Sequence, residues 1–333
     1  MPTQAEVSPE RRTPEPLPAN MPSAQPGGGK CYSLEMFWGR LRRWYLLTFK
    51  ISYVERMAKF RKGSIAGAPH EILDPRDLKF ASILCDAHWE EPDDPFVWRG
   101  ELGFARWGLA ELILMSTSLA TLTLAFTIGS FLTEGAAQIA CGLAATTFAV
   151  VLGLIVWFFR DPKRTVPAQP GLLVSPADGK ITEVTDLDHD DFIGGPAVRI
   201  GIFLSIFNVH INRMPCAARV IKLKYSPGKF LNAMNPDSSL VNENLWIGLE
   251  ESAPPHRPLI VRQVSGLIAR RIVSTLRPGQ ELPRGFKFGM IKLGSRTELI
   301  LPRVPGLNIS TKIGQKVTAG ETVLASWPTG AAQ

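Results

Sequence analysis

The chain has 333 residues, a formal charge of +7, 45% hydrophobic residues and 20% charged residues. That length suits one large domain or two ordinary ones, and the balance excludes a disordered or fibrous protein. The basic excess is compatible with acidic lipid or nucleic acid and by itself specifies neither.

Residues 1–30 are rich in Pro and Gly and have no apolar core. They are expected to form a disordered tail, and they show no cleavable secretory signal. Residues 31–103 read as a basic, partly helical extension. Its first part, "CYSLEMFWGRLRRWYLLTFKISYVERMAKFRKGSI", interleaves aromatic and aliphatic residues with Arg40, Arg42, Arg43, Lys50, Arg56, Lys59, Arg61 and Lys62. Helical spacing groups Phe37, Leu41, Trp44 and Leu47. Such a helix either lies on an anionic membrane surface or packs on the rest of the protein. From 66 to 103, Pro and Asp punctuation predicts irregular connections with short helices.

Residues 104–160 read as a hydrophobic membrane hairpin. Leu109–Leu132 and Ala136–Phe159 carry almost no charge. Each is long enough as a helix to cross a hydrocarbon core of about 30 Å. "TEG", Thr133–Gly135, makes the turn, and Glu111 can sit at the interface. Arg99 and Arg106 precede the first run, and Arg160, Lys163 and Arg164 follow the second. Basic residues on both outer flanks predict a cell-membrane protein with both ends, and the following domain, on the cytoplasmic side. Ala, Thr and Gly in both runs suit close helix packing. The alternative is a hairpin buried in a soluble core.

Residues 161–333 alternate short β-rich runs with Gly, Pro and Asp, which predicts a mainly β domain, with one helix allowed in "SGLIARRIV". Cys31, Cys85, Cys141 and Cys216 form no CxxC pair, and the five histidines show no HExxH spacing. No metal site is expected, and a reducing compartment is the simpler reading. There is no GxGxxG or Walker loop, and the basic charge largely flanks the hairpin, so no nucleic-acid partner is expected.

Three segments hold the groups of a proton-relay nucleophile: an acid, an imidazole and a hydroxyl. "FFRDPKRTVPAQPGLLVSPADGKI" carries Asp178, "FLSIFNVHINRMP" carries His210, and "FGMIKLGSRTELILP" carries Ser295. Each residue has a plainer reading. Gly294-Ser295 suits a β-turn, Asp178-Gly179 suits a hairpin turn, and His210 suits a hydrogen-bonded structural histidine.

Together these segments resemble the phosphatidylserine decarboxylases, in particular their short bacterial and archaeal subfamily. "FFRDPKR…SPADGKI", "NVHINRMP", "KYSPGKFLNAMNPDSSLVNENL", "QVSGLIARRIV" and "GMIKLGSR" carry the likeness, in order, from about Ala105 to Trp327. The first hundred residues lie outside it. The resemblance implies self-cleavage between Gly294 and Ser295 into a large chain, 1–294, and a small chain, 295–333. Ser295 becomes a pyruvoyl group, the only cofactor implied. That group would form a Schiff base with phosphatidylserine, take up the electrons released with CO₂, and yield phosphatidylethanolamine. His210 matches the family's acid–base histidine and Asp178 the acid that orients cleavage. Glycine at 294 leaves its carbonyl open to attack.

Arg213 stands where long-form members carry a second histidine, so their Asp–His–Ser relay does not transfer whole. Arg213 is expected instead to bind the lipid phosphate or carboxylate. "SIF" at Ser205–Phe207 also lacks a proline often found there. "GLNISTKIGQKVTAGETVLASW" is similar to lipoyl and biotinyl carrier hairpins, which implies a barrel-sandwich-hybrid-like fold. It leaves a rival function open, a membrane-anchored adaptor with no catalysis, which would remain one polypeptide.

Overall fold

The first long helix turns its charged side inward. The computed structural model describes residues 11–17, 29–81, 84–231, 241–267, 271–292 and 294–328, with side chains of the first helix from residue 33 onward. In α1, Gly29–Phe49, the buried positions are Glu35, Gly39, Arg43 and Leu46, spaced three or four residues apart along one face. Phe37, Leu41, Trp44 and Leu47 are all exposed. One face therefore packs on the protein, as one of the two readings expects, and the aromatic face is bare. α2, Ile51–Phe60, follows. The rest of the extension, among its described residues, is irregular chain with 3-10 turns at Pro75–Phe80, Glu91–Asp93 and Val97–Glu101, and a fourth at Arg106–Gly108 leads into the hairpin. Asp74 caps the first of these by accepting the Arg76 N–H at 2.9 Å.

Within the tail expected to be disordered, residues 11–17 instead lie along the β domain. The Arg12 N–H donates to Glu250 at 2.6 Å, and Leu17 packs against the main core.

α3, Leu109–Leu132, and α4, Gly135–Phe158, form an antiparallel hairpin with a turn at Thr133 and Glu134. Both are long and apolar enough to cross a membrane, and only 6% of each apolar window is buried within the protein. A hairpin hidden in a soluble core is therefore not what forms. Gly129 faces Cys141 closely, since a Cβ there would lie 3.3 Å from the Cys141 Sγ. Phe126 and Phe148 stack with centroids 5.5 Å apart. The hydroxyls of Thr117, Ser118, Thr121, Thr123 and Thr127 donate to carbonyls four residues back, so they need no water.

The remainder is antiparallel β structure, as the alternating sequence texture requires. Its strands are β1 (Leu172–Val174), β2 (Gly179–Asp190), β3 (Gly195–Leu204), β4 (Ile211–Arg213), β5 (Ala218–Ser226), β6 (Asn244–Glu251) and β7 (Pro258–Ser265). They continue as β8 (Ile272–Ser274), β9 (Glu281–Leu282), β10 (Lys287–Ile291), β11 (Ser295–Pro302), β12 (Asn308–Ile309), β13 (Lys316–Val317) and β14 (Val323–Ser326). One eight-stranded sheet runs β13-β2-β3-β11-β7-β6-β5-β9, beside two three-stranded sheets, β4-β10-β8 and β1-β14-β12. The helix allowed in "SGLIARRIV" is not placed: Ser265 ends β7, Ile272 opens β8, and 268–270 lie outside the described residues. So do 232–240 of the "KYSPGKF…" segment and Leu293 of the Gly-Ser motif.

β11 lies deep in the large sheet and is buried along its whole length. Its charged residues survive there because they are paired. Glu298 accepts from Arg296 and Arg262, each at 2.8 Å, and Arg296 also reaches Glu183. A second apolar cluster joins Phe158 and Phe159 to Val209, Ile211, Val273 and Met290, so the end of the hairpin is seated on the β4-β10-β8 sheet.

Candidate active site

Gly294 and Ser295 lie where a bend enters the buried strand. Gly294 has φ +72, a conformation that a side chain opposes, and nothing lies within 4 Å of where a Cβ would be. Ser295 opens β11 between two neighbours, in register with Leu204 of β3 and Ser265 of β7. The strand holds one side of the Gly-Ser bond while the turn leaves the other side open. The Ser295 Oγ is fully buried and has no hydrogen-bond partner among the described residues. An unsatisfied buried hydroxyl costs about 1–3 kcal/mol.

His210 faces the same turn. Its Nδ1 lies 2.9 Å from the Asn208 carbonyl, and its Nε2 accepts the Gly294 N–H at 3.1 Å. This pairing puts the ring proton on Nδ1 and the lone pair on Nε2. The ring is buried against Phe158, with centroids 4.7 Å apart. Burial pushes its pKa down to about 4, against the opposing pull of the Asn208 carbonyl and with help from Arg160. The imidazole is therefore neutral near pH 7, as a base must be.

The histidine loop is fixed from both sides. The Asn208 side chain accepts from the Ser205 N–H at 2.9 Å and the Ser205 hydroxyl at 2.7 Å. From the end of the hairpin, Trp157 donates to the Phe207 carbonyl at 3.3 Å and Arg160 at 2.9 Å.

Asp178 and Arg213 meet other partners. Asp178 is gripped by Arg164, at 3.0 and 2.8 Å, and accepts the Ala319 N–H at 2.8 Å. It does not close a hairpin turn either, because β1 and β2, on either side of it, belong to different sheets. Arg213 is buried and bonds Asp161 at 3.2 Å and the Gly285 carbonyl at 3.1 Å. Both tie the segment leaving the hairpin, which carries Asp161 and Arg164, to the β domain. Among the described residues, no hydrogen bond or ion pair joins either of them to Ser295 or His210.

Comparison with known proteins bears on this arrangement. Residues 151–325, just over half the chain, match the family model for phosphatidylserine decarboxylase. The chain belongs to the phosphatidylserine decarboxylase family. A phosphatidylserine decarboxylase proenzyme of Rhodopirellula baltica is 48% identical over 242 residues, 73% of this chain and 95% of the relative. One from Desulfotalea psychrophila is 43% identical over 195 residues, 59% of this chain and 89% of the relative. One from Chlorobaculum parvum is 45% identical over 185 residues, 55% of this chain and 84% of the relative.

Other residues of this decarboxylase-family site gave no sign in the sequence. Asn212 donates to the Thr297 hydroxyl at 3.0 Å and accepts from Gln263 at 2.7 Å, joining β4, β11 and β7 beneath the Gly-Ser turn. Lys292 is buried and ion-paired with Glu35 of α1 and Glu111 of α3. A period-2 pattern marks Asn212, Thr297 and Gln263 only as strand residues, and Glu35 sits 257 positions from its partner.

Proposed function

We propose that this chain is the precursor of a membrane-bound phosphatidylserine decarboxylase that activates itself by cleavage between Gly294 and Ser295. The observation that carries this reading is the buried, unpartnered Ser295 Oγ next to a Gly294 whose N–H is held by a neutral His210. The Ser295 Oγ attacks the Gly294 carbonyl carbon, and the peptide bond gives way to an ester. His210 takes the hydroxyl proton, directly or through one water, and returns a proton to the departing group. Elimination across Ser295 releases Gly294 as a carboxylate, and hydrolysis then expels the nitrogen of residue 295 as ammonia. The chains 1–294 and 295–333 stay together because β11 remains hydrogen-bonded between β3 and β7.

The residues present fit the group this makes, since it arises from Ser295 itself, beside a Gly294 with open space where a Cβ would stand. Once formed, a pyruvoyl at residue 295 supplies an electron-withdrawing carbonyl to the amine of phosphatidylserine, so that CO₂ leaves and phosphatidylethanolamine results. His210, whose Nε2 faces the neighbouring Gly294, would hold or deliver a proton there. Asp178 and Arg213 act as positioning residues by anchoring Arg164 and Asp161. Binding of the lipid phosphate by Arg213 would require it to exchange Asp161 for the lipid.

The hairpin is read as membrane-embedded, with Arg99, Arg106, Arg160, Lys163 and Arg164 holding its ends and the β domain on the cytoplasmic side. The bare aromatic face of α1 then lies in the same interface. The three sheets are read as a barrel-sandwich hybrid.

The test is intact mass spectrometry of the detergent-purified protein beside Ser295→Ala, followed by assay on phosphatidylserine vesicles. Two chains, the smaller starting at 295 and lighter than the hydrolysis product by one ammonia, support the reading. A single chain indistinguishable from the variant returns the adaptor function.

A further inference from the structure

Two residues before Gly294, the chain is fastened from far away. Lys292 is 3% exposed, and its ammonium is shared between Glu35 and Glu111. The other oxygen of Glu35 lies 3.3 Å from Lys79 and 3.4 Å from Arg271. Arg271 also donates to the Lys79 carbonyl at 3.0 Å, and its own carbonyl accepts the Lys292 N–H at 3.0 Å. Three cations and two carboxylates thus converge from α1, the Pro75–Phe80 turn, α3, the β7–β8 connection and the chain entering the Gly-Ser motif.

Such a cluster is a poor device for stability alone. Well-packed apolar residues of the same volume serve as well or better, whereas removing one partner strands a buried charge. What the cluster does fix is position. The Lys292 backbone is tied to Arg271 and its side chain to Glu35, so the chain enters the left-handed turn at Gly294 from a held point. In-line attack depends on such placement, and an error of about 1 Å costs about a hundredfold in rate. Glu35 lies on the packed face of α1, in a part of the chain that the family match, 151–325, does not reach.

We infer that Glu35 is a positioning residue for self-cleavage: it holds Lys292, and through it the Gly294–Ser295 bond, so the N-terminal extension is part of the processing apparatus. This rests on the self-cleavage reading above. Glu35 touches no reacting atom and acts through Lys292. The extension therefore makes processing conditional on its own docking, and a precursor whose α1 has not seated stays uncleaved.

The experiment follows the appearance of the 295–333 chain from full-length protein synthesised into phospholipid vesicles. Glu35→Gln is expected to slow cleavage at least tenfold, and Glu35→Asp, which restores a carboxylate, to recover part of the rate. Thermal midpoints are read in the uncleavable Ser295→Ala background. Leu46→Ala, on the same face of α1, provides a loss of midpoint without loss of charge and is expected to cleave near the wild-type rate. The inference is overturned if Glu35→Gln cleaves like the wild type. It is equally overturned if Leu46→Ala, at a matched loss of midpoint, slows cleavage as much. A wild-type chain that never cleaves sinks the self-cleavage reading itself and this inference with it.

Discussion

The Nε2 of His210 accepts the backbone N–H of Gly294 at 3.1 Å, one residue before a serine whose hydroxyl is buried without a partner. The geometry places the only lone pair of a neutral imidazole at the turn where the proposed attack occurs. Removing a positioned base costs about 10²–10⁴ in rate. His210→Ala is therefore expected to cleave at least a hundredfold more slowly, measured by gel time course on freshly synthesised protein. Cleavage at the wild-type rate would assign the histidine a structural role.

The depressed pKa of His210 sets a pH window. In the unfolded chain a histidine titrates near 6.5, and in the fold this one titrates at about 4. Between those values the unfolded state binds the extra proton. The contribution to stability is thus complete above about pH 6.5 and is lost as pH falls toward 4, by about 3 kcal/mol at most. Thermal midpoints of Ser295→Ala should fall across that range, and His210→Gln should flatten the slope. The cleavage rate should show no inflection near 6.5.

Gly294→Ala separates backbone from space. The added Cβ meets nothing within 4 Å, so the cost comes from φ +72 alone, about 1–2 kcal/mol. The variant should fold, with a midpoint a few degrees lower in the Ser295→Ala background, and should cleave at least tenfold more slowly. Unchanged cleavage would show that the left-handed turn has no part in the reaction.

Arg213 can be assigned by what its loss changes. With Asp161 beside it and Lys287 2.6 Å from the other oxygen of Asp161, Arg213→Ala leaves the carboxylate with Lys287 as its ion-pair partner among the described residues. A positioning role predicts lower stability, toward the lower end of about 3–5 kcal/mol, with an unchanged KM for lipid in whatever enzyme matures. A lipid-binding role predicts the reverse, a raised KM at little cost in stability. Chemical unfolding and vesicle kinetics on the same variant decide between them.

Much of the architecture could be read from contiguous residues. The hairpin showed because hydropathy accumulates along a run: Leu109–Leu132 is α3 to the residue, and α4 begins one residue before Ala136. The β domain showed because Gly, Pro and Asp punctuate its strands. Ser295, Gly294 and His210 were nameable from ordered motifs, and the structure brings His210 and Gly294 into contact. It gives Asp178 and Arg213 to Arg164 and Asp161 instead, since an ion pair forms with whichever opposite charge the fold delivers.

The sequence by itself determined the elements whose cause is local: helix length, strand punctuation and a Gly-Ser turn that needs no Cβ. Only the tertiary structure decided which face of α1 is buried, which nitrogen of His210 carries the proton, and that Glu35 and Glu111 close on Lys292. Those outcomes depend on burial and on charges brought together across as many as 257 positions, and a buried charge leaves no periodic trace in the chain that supplies it.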